Sequence, residues 1–333
     1  MAFFRTSGKI QIETCVLISC LRISKHTKAM IVDSGGVKTI LIVMEMFPDD
    51  KYLQEEASRA LLNICHEFPT AKDKLASKES IDIIMRVLRR HIDVEETVEN
   101  TCELLCTLTV SNDFQSIIFK YGFHHVITEI FVTKSENIRI SQFVCCILRN
   151  LSTNKSKGYE LAKIATIRQV VRAMVNHNLS EEIQIHACVI FWNLSSELRQ
   201  SVDTILNTNI VDRVIGALQN FPGSSIIQRV ACGSLWSLMV NIEEVKLAVV
   251  QAGGIDALIV SLVMYQSDLS VLENACGALS SLSVNNESLN KIVHEGGMEY
   301  IIESMRNNSS STTIIIYENV RSGSYLSRYH ANL

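Results

Sequence analysis

The chain has 333 residues, 31 basic and 35 acidic side chains for a net charge of −4, and a composition that is 47% hydrophobic but only 6% aromatic. That charge gives no general attraction to phosphate backbones or anionic membranes, and three prolines leave no room for a proline-rich disordered tract. A mean hydropathy of +0.18 with so few aromatics suits stacked helices buried on more than one side by Leu, Ile, Val and Ala.

Met1 to Lys9 carries Arg5 and Lys9 but no apolar stretch of the kind that opens a secretory signal. The longest apolar run, Ala257 to Tyr265, is too short to span a bilayer. An intracellular protein is expected, in the cytoplasm first and in the nucleus as the alternative. The ten cysteines are expected to be unpaired there.

From Thr14 onward the chain repeats. The octet TCVLISCL at Thr14 returns as ASRALLNI at Ala57, TCELLCTL at Thr101, VCCILRNL at Val144, ACVIFWNL at Ala187, ACGSLWSL at Ala231 and ACGALSSL at Ala275. The second slot of the octet is Cys15, Ser58, Cys102, Cys145, Cys188, Cys232 and Cys276, at steps of 43 or 44 residues. Apolar spacing makes each octet helical: in the fifth, Ile183, Ala187, Ile190, Phe191 and Leu194 share one face.

A second pattern lies between the octets, seen best in VKLAVVQAGGIDALIVSLV from Val245. A short amphipathic helix ends at Gly253-Gly254, where glycine supplies the left-handed residue that stops a helix, and a longer apolar helix follows. The same joint is predicted at Gly35-Gly36, Gly122 and Gly296-Gly297, with Ser80, Thr166 and Asn209 near that point in the other repeats. Each unit is therefore a short helix, a joint, a longer helix, a loop and a third helix.

AGGIDALIVSLV followed by ENACGALSSLSV resembles an armadillo repeat, and the resemblance covers residues 10–306. The expected fold is all-α: a right-handed armadillo-type superhelix of about seven three-helix repeats, the first and last incomplete. Residues 307–333, beginning NNSSSTT, read as a degenerate C-terminal cap or tail. The chain opens directly in a third helix holding Ile10, Ile12, Val16, Leu17, Ile18 and Leu21, so that end is expected to dock on further sequence or to self-associate end to end.

The resemblance implies a concave groove lined by the third helices. At 100° per residue, Ile185, Val189, Trp192, Asn193 and Ser196 lie opposite the core stripe of the fifth third helix. The Trp192 slot is Trp236 one repeat later and Arg149 one repeat earlier. These three suit anchors for an extended peptide, or each indole packs against the neighbouring repeat's helix. Asn63, Asn150 and Asn193 recur at the next position, where in the armadillo family an asparagine often bonds the backbone of a bound peptide. The other reading has the amide satisfy a neighbouring backbone group near the helix end.

Import adaptors of this family carry tryptophan one turn before that asparagine, where this chain has Arg59, Cys146 and Val189. Glu99 and Glu103 provide some acid, but Arg149 and Arg229 oppose it, so recognition of a basic nuclear signal is not expected.

Chemistry has little footing. Equivalent residues on stacked helices lie about 8–10 Å apart, and a disulfide needs Cα atoms within about 7 Å, so the repeated cysteines read as small buried hydrophobes rather than a ladder of bridges. No paired C-x-x-C spacing marks a zinc site, His124-His125 has no third ligand, and no catalytic or nucleotide-binding motif occurs. Arg86, Arg89 and Arg90 fit a solvated helix C-terminus better than a nucleic-acid stripe. The expectation is a non-enzymatic scaffold without cofactor, metal, nucleic acid or membrane insertion. It holds an extended protein segment in the groove, or alternatively serves as a structural or regulatory module that uses its ends or outer surface.

Overall fold

The computed structural model describes residues 7–20, 24–283 and 286–307, and every regular element among them is helical. The chain opens with α1 (Gly8–Cys20), followed by α2 (Lys25–Asp33), α3 (Gly36–Met46) and α4 (Lys51–Cys65). Then come α5 (Pro69–Leu75), α6 (Lys78–Arg90) and α7 (Glu95–Leu108), and α8 (Asn112–Lys120), α9 (His124–Thr133) and α10 (Ile138–Ser152). The fourth triplet is α11 (Gly158–Leu161), α12 (Ile164–Asn176) and α13 (Glu181–Asn193). In the fifth, the first helix is split into α14 (Ser195–Leu198) and α15 (Val202–Asn207) before α16 (Ile210–Asn220) and α17 (Ser225–Met239). The sixth is α18 (Glu243–Gln251), α19 (Gly254–Met264) and α20 (Leu269–Leu282), and α21 (Asn286–His294) and α22 (Gly297–Asn307) end the described chain. The expected tail lies outside the described residues apart from Asn307. The helices form two compact units that divide between Lys157 and Gly158.

The joints follow from backbone sterics. Gly35, Gly122, Gly253 and Gly296 all have φ between 70 and 79°, a region open to glycine at little cost. Asn209, at φ 58°, takes the same role before α16. A Cβ on Gly36 would lie 2.7 Å from the Ile31 carbonyl oxygen, so the second glycine lets the longer helix start hard against the one before it. Ser80 and Thr166 do not stand at joints: both lie inside helices, α6 and α12. The turn before α6 is at Ala76-Ser77, and Ser77 caps it by accepting from the Ser80 amide at 3.1 Å.

The third helices are started by caps and stacked through small residues. Asp50, Asn137, Ser180, Ser224 and Asp268 each accept an amide hydrogen from the first turn that follows. All seven residues of the recurring cysteine slot are buried. Thr101 Oγ1 donates to Ser58 Oγ at 3.2 Å, one repeat away, so the single serine in the slot is satisfied across the seam.

A second buried signature joins the longer helices to the third ones. Gln54 Nε2 donates to the carbonyls of Met44 and Phe47, Gln184 Nε2 to those of Met174 and His177, and Gln228 Nε2 to those of Leu218 and Phe221. In each case a side chain closes the frayed C-terminus of the preceding helix. The outer cations are paired as well: Arg86 with Glu45 at 2.7 Å, Arg89 with Glu129 at 3.3 Å and Arg90 with Asp49 at 3.3 Å. Among the described residues, no single helix is long and apolar enough to cross a membrane.

Candidate binding face of the third helices

In α13 and the residues just after it the periodicity sorts the side chains as the sequence predicts. Ile183, Ala187, Ile190, Phe191 and Leu194 are buried, Ile185, Val189, Trp192 and Asn193 are half-buried, and Ser196 is exposed. Arg149 and Asn150 on α10, Asn63 on α4 and Trp236 on α17 are likewise half-buried, and Arg229 is exposed. The first unit thus holds Asn63, Arg149 and Asn150, with α7 between the helices that carry them. The second holds Ile185, Val189, Trp192, Asn193, Arg229 and Trp236 on the adjacent pair α13 and α17.

The structure settles what several of these side chains touch. The Asn63 amide donates to the carbonyls of Ile18 at 2.7 Å and Ser19 at 3.4 Å, the last turn of α1. The Asn150 amide donates to the Cys106 carbonyl and to Thr109 Oγ1, each at 3.2 Å, at the end of α7. For these two the peptide-backbone role needs correcting. Both amide hydrogens close the C-terminus of the preceding third helix, whose last carbonyls have no intrahelical partner.

Each tryptophan lies across a glycine of the next third helix. A Cβ on Gly233 would come within 2.5–2.8 Å of Cη2, Cζ3 and Cζ2 of Trp192, and one on Gly277 within 2.7–2.9 Å of Cδ2, Cε2 and Cε3 of Trp236. The indoles therefore pack on the neighbouring repeat and keep part of their surface in solvent. The separations are 41 residues, two or three short of the repeat, so the contact runs diagonally between helices.

The same diagonal holds a covalent link in the first unit. Cys106 on α7 and Cys146 on α10 are joined as a disulfide, 40 residues apart, with Cα atoms 5.9 Å apart. This corrects the expectation that every cysteine is unpaired. The spacing argument holds for equivalent residues, but Cys106 and Cys146 are offset by about one helical turn, and that stagger brings their Cα atoms within bonding range.

The cysteines of the recurring slot are buried, as expected. Burial pushes the thiols of Cys102, Cys188, Cys232 and Cys276 up to about 12. At pH 8 iodoacetamide is expected to modify these four about a thousandfold more slowly in the native than in the unfolded protein, read by peptide mass mapping. The unfolded chain loses these protons near the usual value of about 8.5. The stability they contribute is therefore complete below that pH and declines as pH rises towards 12.

Charge on the face is largely internal. Arg139 reaches Glu99 at 3.3 Å and Glu103 at 3.8 Å, and Arg59 reaches Glu55 at 2.6 Å and Glu56 at 2.8 Å. The cation opposing Glu99 and Glu103 is thus Arg139, where the sequence pointed to Arg149 and Arg229. Those two make no ion pair among the described residues. No group of three or more His, Cys, Asp or Glu side chains among the described residues is placed to hold a metal.

Residues 42–319 match the family model described as protein zer-1 homolog-like, C-terminal domain. The chain belongs to the zer-1 homolog-like family. No curated protein matches the sequence of this zer-1 homolog-like domain. Among solved structures it is similar to an engineered protein from the Northeast Structural Genomics Consortium, with TM-score 0.74 and 19% identity over 92% of this chain and 72% of that one. It is equally similar to a chain from work on a phosphorylation switch in the cadherin–beta-catenin interaction, with TM-score 0.74 and 18% identity over 90% of this chain and 58% of that one. A designed armadillo repeat protein in complex with the peptide (KR)4 aligns with TM-score 0.57 and 16% identity over 71% of this chain and 95% of that one. At these identities the likeness is one of fold, and it establishes the zer-1 homolog-like domain as an all-helical armadillo-type solenoid.

Proposed function

We propose that the domain is a scaffold or adaptor that holds an extended segment of a partner protein on the exposed face of its third helices, and that it works by binding rather than catalysis. The observation that carries this reading is the face of α13 and α17. Two half-exposed indoles, Ile185 and Val189 offer apolar surface opposite the core, and Arg229, exposed on α17, makes no ion pair among the described residues. Aromatic and arginine side chains of this kind dominate binding energy at interfaces. Solved neighbours of the same fold come from a cadherin–beta-catenin system and from a peptide complex, which supports the class of ligand.

A basic peptide is not the ligand we favour. Glu55, Glu56, Glu99 and Glu103 already answer Arg59 and Arg139, while Arg229 is available to a carboxylate. We place this activity inside the cell, in the cytoplasm first.

The test is affinity capture from cells with the wild-type chain, the W192A/W236A double variant and R229E. We expect the double variant to lose its specific partners and R229E to weaken them about tenfold, as a hot-spot residue does. Circular dichroism guards against misfolding, and Arg229, exposed and outside the core, serves as the gentler variant. Unchanged partners for both variants defeat the proposal.

A second reading is favoured by α1, where Ile10 and Leu17 are exposed, Leu17 at 58%. If this end mediates self-association, the wild-type chain sediments as a concentration-dependent oligomer and L17D as a monomer. Identical monomeric profiles count against it.

A further inference from the structure

We propose that Cys106 and Cys146 form a reversible thiol–disulfide site on the third-helix face of the first unit, closed by peroxide-class oxidants and opened by dithiol reductants. This regulatory role rests on the reading of that face as a binding surface and of the protein as intracellular, where a disulfide between folded helices is usually transient or redox-sensing.

Three observations carry the proposal. The first is access. Cys106 and Cys146 are half-buried on the open face, whereas Cys102 and Cys145, on the same two helices, are buried. Of these four, only the offset pair is open to a small oxidant or reductant.

The second is that the bond is not required by the fold. The diagonal position that Cys106 and Cys146 occupy between α7 and α10 is filled between α13 and α17 by Trp192 over Gly233, and between α17 and α20 by Trp236 over Gly277. Those seams hold without a covalent link, and Asn274 Nδ2 on α20 donates across one of them to the Arg229 carbonyl of α17 at 3.3 Å. The seam between α7 and α10 also keeps the Asn150 hydrogen bonds to Cys106 O and Thr109 Oγ1 without help from the sulfurs.

The third is coupling to the face. The Asn150 amide that closes the end of α7 also lies 3.9 Å from Cys146 Sγ. The sulfur pair and the closure of α7 therefore meet at one side chain, and Cys146 is taken as the first nucleophile.

The chemistry balances. The Cys146 thiolate attacks one oxygen of hydrogen peroxide, breaks the O–O bond and becomes a sulfenic acid, and the departing hydroxide takes a proton to form water. The Cys106 thiolate then attacks the sulfenic sulfur, the S–S bond forms and a second water leaves. Two electrons pass from the two sulfurs to peroxide. In the reverse direction a dithiol attacks the disulfide, forms a mixed disulfide and resolves it as its own cyclic disulfide, returning two electrons and two protons.

The test uses the full chain, reduced under anaerobic conditions and then titrated with hydrogen peroxide. Remaining thiols are trapped with N-ethylmaleimide for peptide mapping. We expect one linked peptide pair, Cys106 to Cys146, which dithiothreitol reopens while the helical signal is retained. Amide exchange in α7 and α10 is expected to slow about tenfold on closure, the mark of a seam that opens less often. C106S should abolish both the link and the change in exchange.

Recovery of both cysteines as thiols, or as sulfinic acids without the link, overturns the proposal. So does a bond that dithiothreitol opens only with unfolding, or a link that forms and breaks without altering exchange in α7 and α10. No readout uses a partner, so a failed capture experiment with the tryptophan variants leaves this result separate.

Discussion

Gly277→Ala is expected to destabilise the protein by about 1–2 kcal/mol, although alanine is the better helix former. Replacing glycine within α20 by alanine ordinarily contributes about 0.5–1 kcal/mol of stability. Here the new Cβ would meet Cδ2, Cε2 and Cε3 of Trp236 at 2.7–2.9 Å. Cδ2 and Cε2 form the fusion bond at the middle of the ring system and Cε3 adjoins it, so the whole indole has to shift. Overpacking of this kind costs about 1–3 kcal/mol and outweighs the propensity gain.

The sign should reverse once the indole is gone: in a W236A background, G277A is expected to stabilise by up to about 1 kcal/mol. Urea denaturation of the four members of this double-mutant cycle measures a coupling of about 2 kcal/mol. Gly233→Ala should behave in the same sense but more mildly, because its Cβ meets the outer edge of Trp192, which can swing towards solvent. Additive effects within each cycle would mean that the indoles do not rest on the glycines.

Gln228→Leu is the second substitution with a large expected effect, about 2–3 kcal/mol of lost stability. Gln228 is buried, and its Nε2 donates to Leu218 O at 2.9 Å and Phe221 O at 3.1 Å. Its Oε1 accepts from Ser261, to which Cys232 Sγ donates in turn at 3.6 Å. Leucine leaves the Leu218 carbonyl in the last turn of α16 without its side-chain donor and strips Ser261 of its bond to Gln228, leaving only the Ala257 carbonyl at 3.0 Å, and an orphaned buried group costs about 1–3 kcal/mol. Volume is not the obstacle, since Leu272 fills the equivalent, buried position of α20. Slower amide exchange at the end of α16 in Q228L, or an unchanged denaturation midpoint, would contradict this role.

Much of the architecture was legible because it is written in local periods. The core stripe of α13 follows from apolar spacing, and the left-handed joints at Gly35, Gly122, Gly253 and Gly296 follow from the φ that only glycine adopts freely. Ser80 and Thr166 were misplaced because a cap can be supplied by any short polar side chain, and Ser77 does it for α6. The glutamine closures were missed although Gln54, Gln184 and Gln228 each lie four residues before the buried cysteine slot, a periodic signal, but a weaker one than the cysteines because Val98, Ser141 and Leu272 interrupt it.

The candidate face was legible only in part. Its members could be listed from helical phase, because phase within one helix depends on one helix. What they touch depends on a second helix 40–45 residues away. The amides of Asn63 and Asn150 turn back to the preceding third helix, whose terminal carbonyls have no intrahelical partner. Trp192 and Trp236 find glycine, and Cys106 finds Cys146, because stacked third helices are staggered by about one turn.

The amino-acid sequence alone thus determined the helical class, the repeat of 43 or 44 residues, the inward and outward faces and the chain reversals, since hydrophobic phase and backbone sterics act within a few residues of each other. Only the tertiary structure decided which outward residues meet across each seam. A shift of one helical turn between neighbouring helices leaves every local pattern intact, yet it changes which side chain rests on glycine, which amide closes a helix and which two sulfurs come within bonding distance.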